Sequence, residues 1–205
     1  THNQQRQFHG IVLQEPDMEV SALSLHHAIP SLGYRLDEPF HINIRANELA
    51  ALGLPVGPWI SDLKKAIRAE ARACATAEDA IKHIAAKGYS ACGRHLQYDD
   101  LTRLLLITRG QSFAYIMDTT PEQKNIDAIT AFVRGVDELF CEAYFLDDDR
   151  ERAFARHHLT ALHAGSIAQQ AAVGRLTVLH FSPKYRDCPE RLYQEAAHFF
   201  INSGH

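Results

Sequence analysis

The sequence predicts an α/β fold, and three features lead to that expectation. From about residue 103 onward, short apolar runs alternate with segments of helical periodicity. Several of these runs end in a polar residue, as strands do when their ends form the rim of a sheet. The 205 residues, 46% hydrophobic and 22% charged, have the composition of one globular domain. We therefore expect a single domain over residues 1–205, in which strands and helices alternate.

The first hundred residues contain strands followed by a helical segment. Two strands are expected at 11–14 and 18–26, and a third follows the turn marked by Pro30 and Gly33. Helical periodicity then dominates residues 39–100, which we expect to form an insertion within the domain. Its helices are expected at 46–52, 60–73 and 77–87. Ser61 is placed as the N-cap of the second of these helices.

Three further strands and a helix are expected between residues 103 and 143. The runs RLLLITR and SFAYIMD, on either side of Gly110-Gln111, have the pattern of a hairpin whose second strand ends at Asp118. A helix is expected to start after Thr120, which can act as N-cap with Pro121 in the first turn. Another strand follows at 138–143.

The stretch 158–185 combines a helix, a strand and a loop around two histidines. Thr160 is expected as the N-cap of an alanine-rich helix that is ended by Gly174. A buried strand at 175–179 then leads to His180. A histidine at a helix start and another at a strand end occupy the places where sites form in α/β proteins.

The composition argues against several classes of protein. A net charge of −4 argues against a protein that coats nucleic acid non-specifically. The four cysteines show no CxxC spacing, which argues against a zinc knuckle or redox pair and fits a cytoplasmic location. Because no apolar run has membrane-spanning length and no signal peptide is evident, we expect no membrane association. Thirteen histidines favour metal binding or acid–base chemistry.

Polar side chains collect at the predicted strand ends. His27, Asp118, Glu142 and His180 each lie at or just beyond the end of a strand, and His158 lies at a helix start. Histidine and carboxylate without thiolate are typical ligands of catalytic Zn²⁺, Mn²⁺ or Fe²⁺. A carboxylate can also bridge two ions, which together activate a water and hold the oxygens of a phosphoryl group. The pattern therefore indicates a metal site.

The motifs around these residues resemble those of ribonuclease Z-type proteins in the metallo-β-lactamase fold superfamily. The matching segments are HAIPSLGYR from His27, DTTP from Asp118, HLT from His158 and HFSPKY from His180. The resemblance extends from about residue 18 to residue 200 and includes the loop GLPVGP. It implies an αββα sandwich, of which this chain is expected to form mainly the C-terminal half, with the helical insertion between the second and third site motifs.

The resemblance also implies a role for each residue of the site. His27 is similar to a ligand of the first metal ion, Asp118 to a carboxylate that bridges both ions, and His180 to a ligand of the second. His158 is similar to a residue that stabilises charge on the scissile phosphate or protonates the leaving oxygen, and Glu142 is similar to the residue that orients it. The implied cofactors are two divalent metal ions, with zinc favoured over manganese or iron.

The N-terminal metal motif of the family, HxHxDH, is not found in this chain. Where the family has His-Glu-Ala-Thr, this sequence has Cys141-Glu142-Ala143-Tyr144. The chain begins with Thr1 rather than methionine, and three interpretations stay open. It is a fragment of a longer protein, a half that assembles with a partner or as a homodimer, or a relative that has lost the dinuclear site and binds no metal alone.

The resemblance implies that the helical insertion corresponds to the segment that grips tRNA in the family. Lys64, Lys65 and Arg68 lie on or near one predicted helix and are candidates for contacts with RNA phosphates. The resemblance favours a metal-dependent phosphodiesterase that cleaves a tRNA precursor or a smaller phosphodiester. Two other hypotheses stay open: a metal-free half-domain that binds RNA or protein, and a hydrolase of a non-phosphate ester or thioester.

Overall fold

The protein is a mixed α/β structure, which confirms the predicted class. The computed structural model describes residues 10–15, 17–74 and 76–202. Of residue 202 only the backbone is described. The chain divides into two compact units. The first spans Thr1–Leu13, Val20–Asp37 and Gln111–His205, and the second spans Gln14–Glu19 and Glu38–Gly110. In the described ranges, no helix is both long and apolar enough to cross a membrane.

Strands and helices alternate along most of the described chain. In chain order the strands are β1 (Ile11–Glu15), β2 (Met18–Leu25), β3 (Ser31–Asp37), β4 (Phe40–Ile44), β5 (Ser90–Ala91), β6 (Arg94–His95), β7 (Leu105–Arg109), β8 (Ser112–Ile116), β9 (Glu138–Glu142) and β10 (Leu176–Leu179). The helices are α1 (Ala46–Ala51), α2 (Pro58–Ala71), α3 (Ala77–Ala86), α4 (Tyr98–Leu104), α5 (Gln123–Phe132), α6 (Arg150–Ala155), α7 (Ala161–Gln170) and α8 (Glu190–Asn202).

The main sheet has six strands in the order β1-β2-β3-β8-β9-β10. Strands β8, β9 and β10 are parallel to one another, whereas β3 is antiparallel to β8. Parallel neighbours present their carboxyl ends at the same edge of a sheet. The residues that follow β8, β9 and β10 are therefore brought to one rim.

One face of this sheet is buried under helices of the first unit. Alternate residues of β8 and β9 form the core on this face: Ala114, Ile116, Leu139 and Cys141, all fully buried. Ile129 of α5 and Ile167 of α7 are buried in the same cluster. The inward-facing strand residues thus pack against the apolar faces of the helices in one core. This core holds the strand ends, and therefore the rim, in place.

The opposite face of the sheet is apolar and open to solvent. It is formed by Leu32 and Tyr34 of β3 with Phe113 and Tyr115 of β8, which are 43–46% exposed. Tyr34 lies opposite Tyr115 in the register of the two strands. Contiguous apolar surface of this kind usually contacts another protein segment. These four residues are called the open face below.

The second unit has its own small core. Strand β4 pairs antiparallel with β7, and the short strands β5 and β6 pair with each other. Buried apolar residues from these elements and from α1 to α4 form a cluster that includes Ile42, Leu63, Ile67, Leu101 and Leu104. The predicted insertion at 39–100 falls within this unit, and its role as a functional arm stays a prediction. Helix α4 and the β5–β6 pair were not predicted.

The predicted hairpin around Gly110 is wrong. Strand β7 pairs with β4, and β8 pairs with β3 and β9, so the two runs belong to different sheets. Gly110 packs so closely on Glu38 that an added Cβ would lie 1.8 Å from the Glu38 carbonyl oxygen. The glycine therefore serves a close backbone approach rather than a hairpin turn.

Three predicted helix boundaries are also wrong. Helix α2 starts at Pro58, since proline is favoured in the first turn, and Ser61 lies inside the helix. Helix α7 ends at Gln170 rather than at Gly174. Gly174 instead packs against the Asp137 carbonyl oxygen, where an added Cβ would be 2.8 Å away.

The third boundary is the start of α5. The N-cap of this helix is Glu122, so Thr120 does not cap it. Thr120 is buried, and its backbone N–H donates to the carbonyl oxygen of His26 at 2.7 Å. Tertiary pairing with the end of β2 has therefore replaced the local cap that the sequence favours.

The predicted N-cap of α7, Thr160, is confirmed. The backbone N–H of His163 donates to the Thr160 hydroxyl at 3.3 Å, and the Thr160 N–H donates to His163 Nδ1 at 3.2 Å. This reciprocal capping box requires Nδ1 of His163 to be an unprotonated acceptor. Burial lowers the pKa of His163, so the unprotonated ring is favoured in the folded protein.

Replacing His163 by glutamine is expected to flatten the pH dependence of stability. Because the folded-state pKa lies below the usual 6.5, unfolding takes up a proton as the pH falls below about 6.5. Between pH 7.5 and 5.5 the wild type should lose up to about 1 kcal/mol more unfolding free energy than His163→Gln, whose amide oxygen keeps the cap. Urea denaturation at both pH values measures this difference. Equal losses in the two proteins would contradict the capping role.

Candidate functional site

Three predicted site residues follow the parallel strands at one rim. Asp118 comes two residues after β8, Glu142 is the last residue of β9, and His180 follows β10 directly. Asp118 and His180 have backbone φ angles of 51° and 59°, in the left-handed region that non-glycine residues seldom occupy. Such conformations persist where the surrounding structure imposes them, and they concentrate at functional sites.

Glu142 lies at the centre of this rim. Its side chain is fully buried, so every lone pair of the carboxylate must be satisfied within the protein. The carboxylate accepts from the backbone N–H of Asp118 (3.1 Å), Thr119 (3.3 Å) and Leu159 (2.9 Å), and it contacts Nδ1 of His158 (3.0 Å) and of His180 (3.1 Å). One carboxylate therefore joins the ends of β8 and β10 to the segment before α7.

These hydrogen bonds keep Glu142 ionised. Burial alone would raise the pKa of Glu142, but the hydrogen bonds from His158 and His180 outweigh burial and hold the pKa at about 2. The same contact raises the pKa of His180. A carboxylate that is negative at any physiological pH fixes the proton of each imidazole on Nδ1.

His158 is held on several sides by rings. Tyr144 stacks on it with 4.0 Å between centroids and 9° between planes. His27 and His180 contact the same ring at 5.1 Å and 5.4 Å. Sequence reasoning missed Tyr144, although its place in the segment where the family has His-Glu-Ala-Thr was a visible departure. Stacking of this kind restricts the orientation of His158.

Removing the Tyr144 ring is expected to loosen His158. Tyr144→Phe keeps the stacked ring, and its free energy of unfolding should lie within about 0.5 kcal/mol of the wild-type value. Tyr144→Ala should lose about 2 kcal/mol and leave the His158 ring mobile. Denaturant titration and imidazole NMR line shapes measure both effects. The positioning role fails if the alanine and phenylalanine variants behave alike.

His27 lies in the turn after β2, beside His158. Its Nδ1 contacts the carbonyl oxygen of His157 at 2.9 Å. Four other residues, Asp118, Glu142, His158 and His180, each offer a ligand atom within 4.8 Å of those of the rest, and His27 is not in this group. The structure therefore brings His27 to His158, while its assignment as a metal ligand stays a prediction.

The three site histidines share one hydrogen-bonding pattern. Nδ1 of His27 faces a carbonyl oxygen, and Nδ1 of His158 and of His180 faces the Glu142 carboxylate. An acceptor at Nδ1 fixes the proton there and leaves Nε2 as the basic nitrogen. Metal-ligating histidines have the same arrangement, with the second nitrogen bonded to a carboxylate or carbonyl. Asp118 Oδ1 lies 3.7 Å from Nδ1 of His180. Imidazole and carboxylate are both ligand types that a divalent ion accepts, so the donor set fits such an ion.

The loop that carries Asp118 is fixed by residues that sequence reasoning missed. The buried amide of Asn125 donates to the Thr119 hydroxyl at 2.5 Å and to the Thr120 carbonyl oxygen at 2.8 Å. The Ser31 hydroxyl donates to the Asp118 carbonyl oxygen at 2.6 Å. These contacts hold the left-handed backbone at Asp118 in place.

A cleft of about 490 Å³ adjoins the rim. Its lining includes Asp118 and His180 of the rim, and Leu32 and Tyr115 of the open face. The cleft therefore connects the polar site with the apolar face of the same unit. A covering segment or a ligand placed there would contact both.

The predicted RNA-contacting residues lie on α2, in the second unit. Lys65 is exposed and Lys64 is half-buried. The Arg68 side chain is only 15% exposed, and it lies 3.7 Å from carboxylate oxygens of Asp17 and Glu38. Arg68 is thus the least accessible of the three, and a role in RNA contact stays a prediction for all of them.

Comparison with known proteins supports the resemblance deduced from the motifs. No family model matches the chain. Over 193 residues it is 35% identical to "Ribonuclease Z" of Thermobifida fusca, covering 93% of this chain and 52% of that protein. "Ribonuclease Z" of Deinococcus radiodurans is 30% identical over 188 residues, covering 92% of this chain and 51% of the relative.

A solved structure supports the fold. The metallo-beta-lactamase fold protein YhfI from Bacillus subtilis matches 95% of this chain with a TM-score of 0.51 at 14% identity, and the match covers 48% of that chain. The predicted metallo-β-lactamase fold and the resemblance to ribonuclease Z are therefore confirmed. The chain spans about half the length of the curated relatives it matches.

Proposed function

We propose that Asp118, Glu142, His158 and His180 form part of a metal-dependent phosphodiesterase site of the ribonuclease Z type. The observation that supports this most is the central position of the ionised Glu142 carboxylate between the Nδ1 atoms of His158 and His180. Burying a carboxylate costs free energy of folding, so a sheet rim with a purely structural role would not favour one. Its presence between two imidazoles supports a functional role.

The chain's own residues divide into ligands and proton-handling groups. Asp118, His180 and, by resemblance, His27 would hold two divalent ions. When bound, such ions lower the pKa of water and offset the negative charge of a phosphodiester. The Glu142 carboxylate keeps His180 in the tautomer that binds through Nε2. The His157 carbonyl oxygen does the same for His27.

His158 is assigned the proton at the leaving oxygen. Its Nδ1 is bonded to Glu142 and its ring is packed by Tyr144, which leaves Nε2 free to act. To act as a general acid, His158 must carry a proton on Nε2 as well as the one on Nδ1, and it passes the Nε2 proton to the leaving oxygen. The fixed ring plane aims that proton, since proton transfer depends on geometry first. Glu142 positions His158 and does not itself touch the substrate.

The open face supports the proposal that another polypeptide segment completes the site. A sheet face of this kind is normally covered by a second sheet about 10 Å away. The cleft at the rim adjoins the same face. We therefore place the remaining metal ligands on a covering segment, with a homodimer as the alternative arrangement.

The proposed substrate is RNA, since the relatives are named ribonuclease Z. The resemblance of the motifs favours the 3′ region of a tRNA precursor. A small phosphodiester is the alternative. The RNA proposal predicts that Lys64→Glu with Lys65→Glu weakens binding of a tRNA precursor at least about tenfold and reduces its salt dependence. Fluorescence anisotropy at two salt concentrations measures this, with Lys82→Glu on α3 as control. Unchanged binding in the double variant would show that Lys64 and Lys65 of α2 do not contact the RNA.

The proposed activity is tested by supplying the half of the relatives that this chain does not span. The N-terminal half of the Thermobifida fusca relative, co-expressed with this chain, should give zinc- or manganese-dependent hydrolysis of bis(p-nitrophenyl) phosphate that neither half shows alone. Hydrolysis of an ester or thioester but not of the phosphodiester would favour the other hydrolase hypothesis. A stable complex that binds no metal and hydrolyses nothing would leave the metal-free binding module.

A further inference from the structure

A second group of metal-binding side chains lies in the second unit. Glu70 is in the last turn of α2, Cys74 lies just beyond that helix, and His83 is on α3. Nδ1 of His83 lies 3.4 Å from Cys74 Sγ and 3.1 Å from Glu70 Oε1. The three ligand atoms all lie within 4.8 Å of one another. Sequence reasoning gave His83 no role.

We propose that Glu70, Cys74 and His83 form a zinc site that ties the end of α2 to α3. Thiolate, imidazole and carboxylate are all ligands that Zn²⁺ accepts, and the mixture with a thiolate disfavours Mg²⁺ or Ca²⁺. Three protein ligands leave the fourth tetrahedral position for a water. This site is independent of the rim around Glu142.

The distances between the side chains suit a tetrahedral ion. Bonds of about 2.3 Å to sulfur and about 2.0–2.1 Å to nitrogen and oxygen separate the ligand atoms by about 3.4–3.6 Å. The sulfur–nitrogen and nitrogen–oxygen separations here, 3.4 Å and 3.1 Å, are within a few tenths of an ångström of these values. Small side-chain rotations therefore suffice to admit the ion.

A metal-free hydrogen-bond arrangement accounts for this geometry less well. Nδ1 of His83 carries at most one proton, yet it faces both the thiol and the carboxylate. Zinc at the common centre would engage all three atoms. Lys87 Nζ donates to the other Glu70 oxygen, Oε2, at 2.6 Å, and so orients the carboxylate while leaving Oε1 for the metal.

A catalytic thiol is the other common use of a cysteine beside a histidine. In a nucleophilic cysteine–histidine pair, a third group orients the imidazole through its other nitrogen, whereas here Cys74 Sγ and Glu70 Oε1 both lie against Nδ1 of His83. The site is also open enough for an ion to enter, since the His83 side chain is 57% exposed. The geometry is therefore that of a ligand set rather than of a nucleophile.

Cobalt titration of the full chain tests this proposal. Co²⁺ bound to a thiolate gives a near-ultraviolet charge-transfer absorption. Cobalt at the Asp118–Glu142–His158–His180 group cannot give it, because that group contains no cysteine. The wild type should develop the band at one equivalent and lose it when zinc is added. Cys74→Ala should abolish the band, and His83→Gln should weaken cobalt binding at least about tenfold.

The matched control is Cys92→Ser, which removes the exposed thiol of the same unit and should leave the band unchanged. Far-ultraviolet circular dichroism verifies that each variant is folded, and the exposed position of His83 makes His83→Gln the safer of the two ligand variants. A wild type without the band, or a band that survives in Cys74→Ala, would overturn the proposal.

Discussion

Glu142→Gln is expected to lower the free energy of unfolding by about 3 kcal/mol. The carboxylate is fully buried and accepts from backbone N–H groups on two segments as well as from two imidazoles. The amide nitrogen of glutamine would face N–H donors, and breaking a buried ionic network costs about 3–5 kcal/mol. Guanidinium denaturation at pH 7 measures the loss.

The pH dependence gives this prediction a second readout. Because the folded-state pKa of Glu142 is about 2, below the ordinary 4.5, its contribution is present above pH 4.5 and is lost as the pH falls toward 2. The difference in free energy of unfolding between the wild type and Glu142→Gln should therefore shrink as the pH falls from 4.5 toward 2. Glu138→Gln, on the same strand but only half-buried, is the control and should change stability by less than about 1 kcal/mol. If both variants cost the same, Glu142 is not the centre of the network.

His158→Ala and His180→Ala are expected to fail in different ways once the complementary half is supplied. His158→Ala should keep the bound metal and lose about 10²- to 10⁴-fold in kcat, the usual effect of removing a general acid. His180→Ala should lose metal and activity together, because it removes a ligand. Metal analysis and turnover of bis(p-nitrophenyl) phosphate are measured on the same samples.

The control for this pair is His95→Gln, which alters an exposed histidine of the second unit. Its metal content and turnover should match those of the wild type. If His158→Ala also lost metal, His158 would be a ligand rather than the proton donor. Activity that survives in His180→Ala would end the ligand role assigned to that residue.

The rim could be predicted from the sequence because strand ends leave local signals. Asp118, Glu142 and His180 each follow a short apolar run, and the structure places all three at the ends of parallel strands. The start of α7 could also be predicted, since Thr160 favours an N-cap and the alanine-rich segment after it favours a helix. Local chemistry decides such features.

Features that depend on distant contacts could not be predicted. Strand β7 pairs with β4, more than sixty residues earlier. Strand β8 is its neighbour in sequence, which suggested a hairpin, but the two strands do not pair. Thr120 lost its capping role to a contact with His26. The stacking of Tyr144 on His158 and the approach of His83 to Cys74 likewise arise only when separate segments pack together.

The position of bound zinc in a crystal tests the central claim most directly. Crystals of this chain in complex with the complementary half, saturated with zinc, should show an anomalous-scattering peak at bonding distance, about 2.0–2.2 Å, from the Asp118 carboxylate and the His180 imidazole. Glu142 should remain bonded to Nδ1 of His180 without touching the ion. Saturating zinc with no peak between Asp118 and His180 would contradict the proposal that this rim is part of a metal-dependent hydrolytic site.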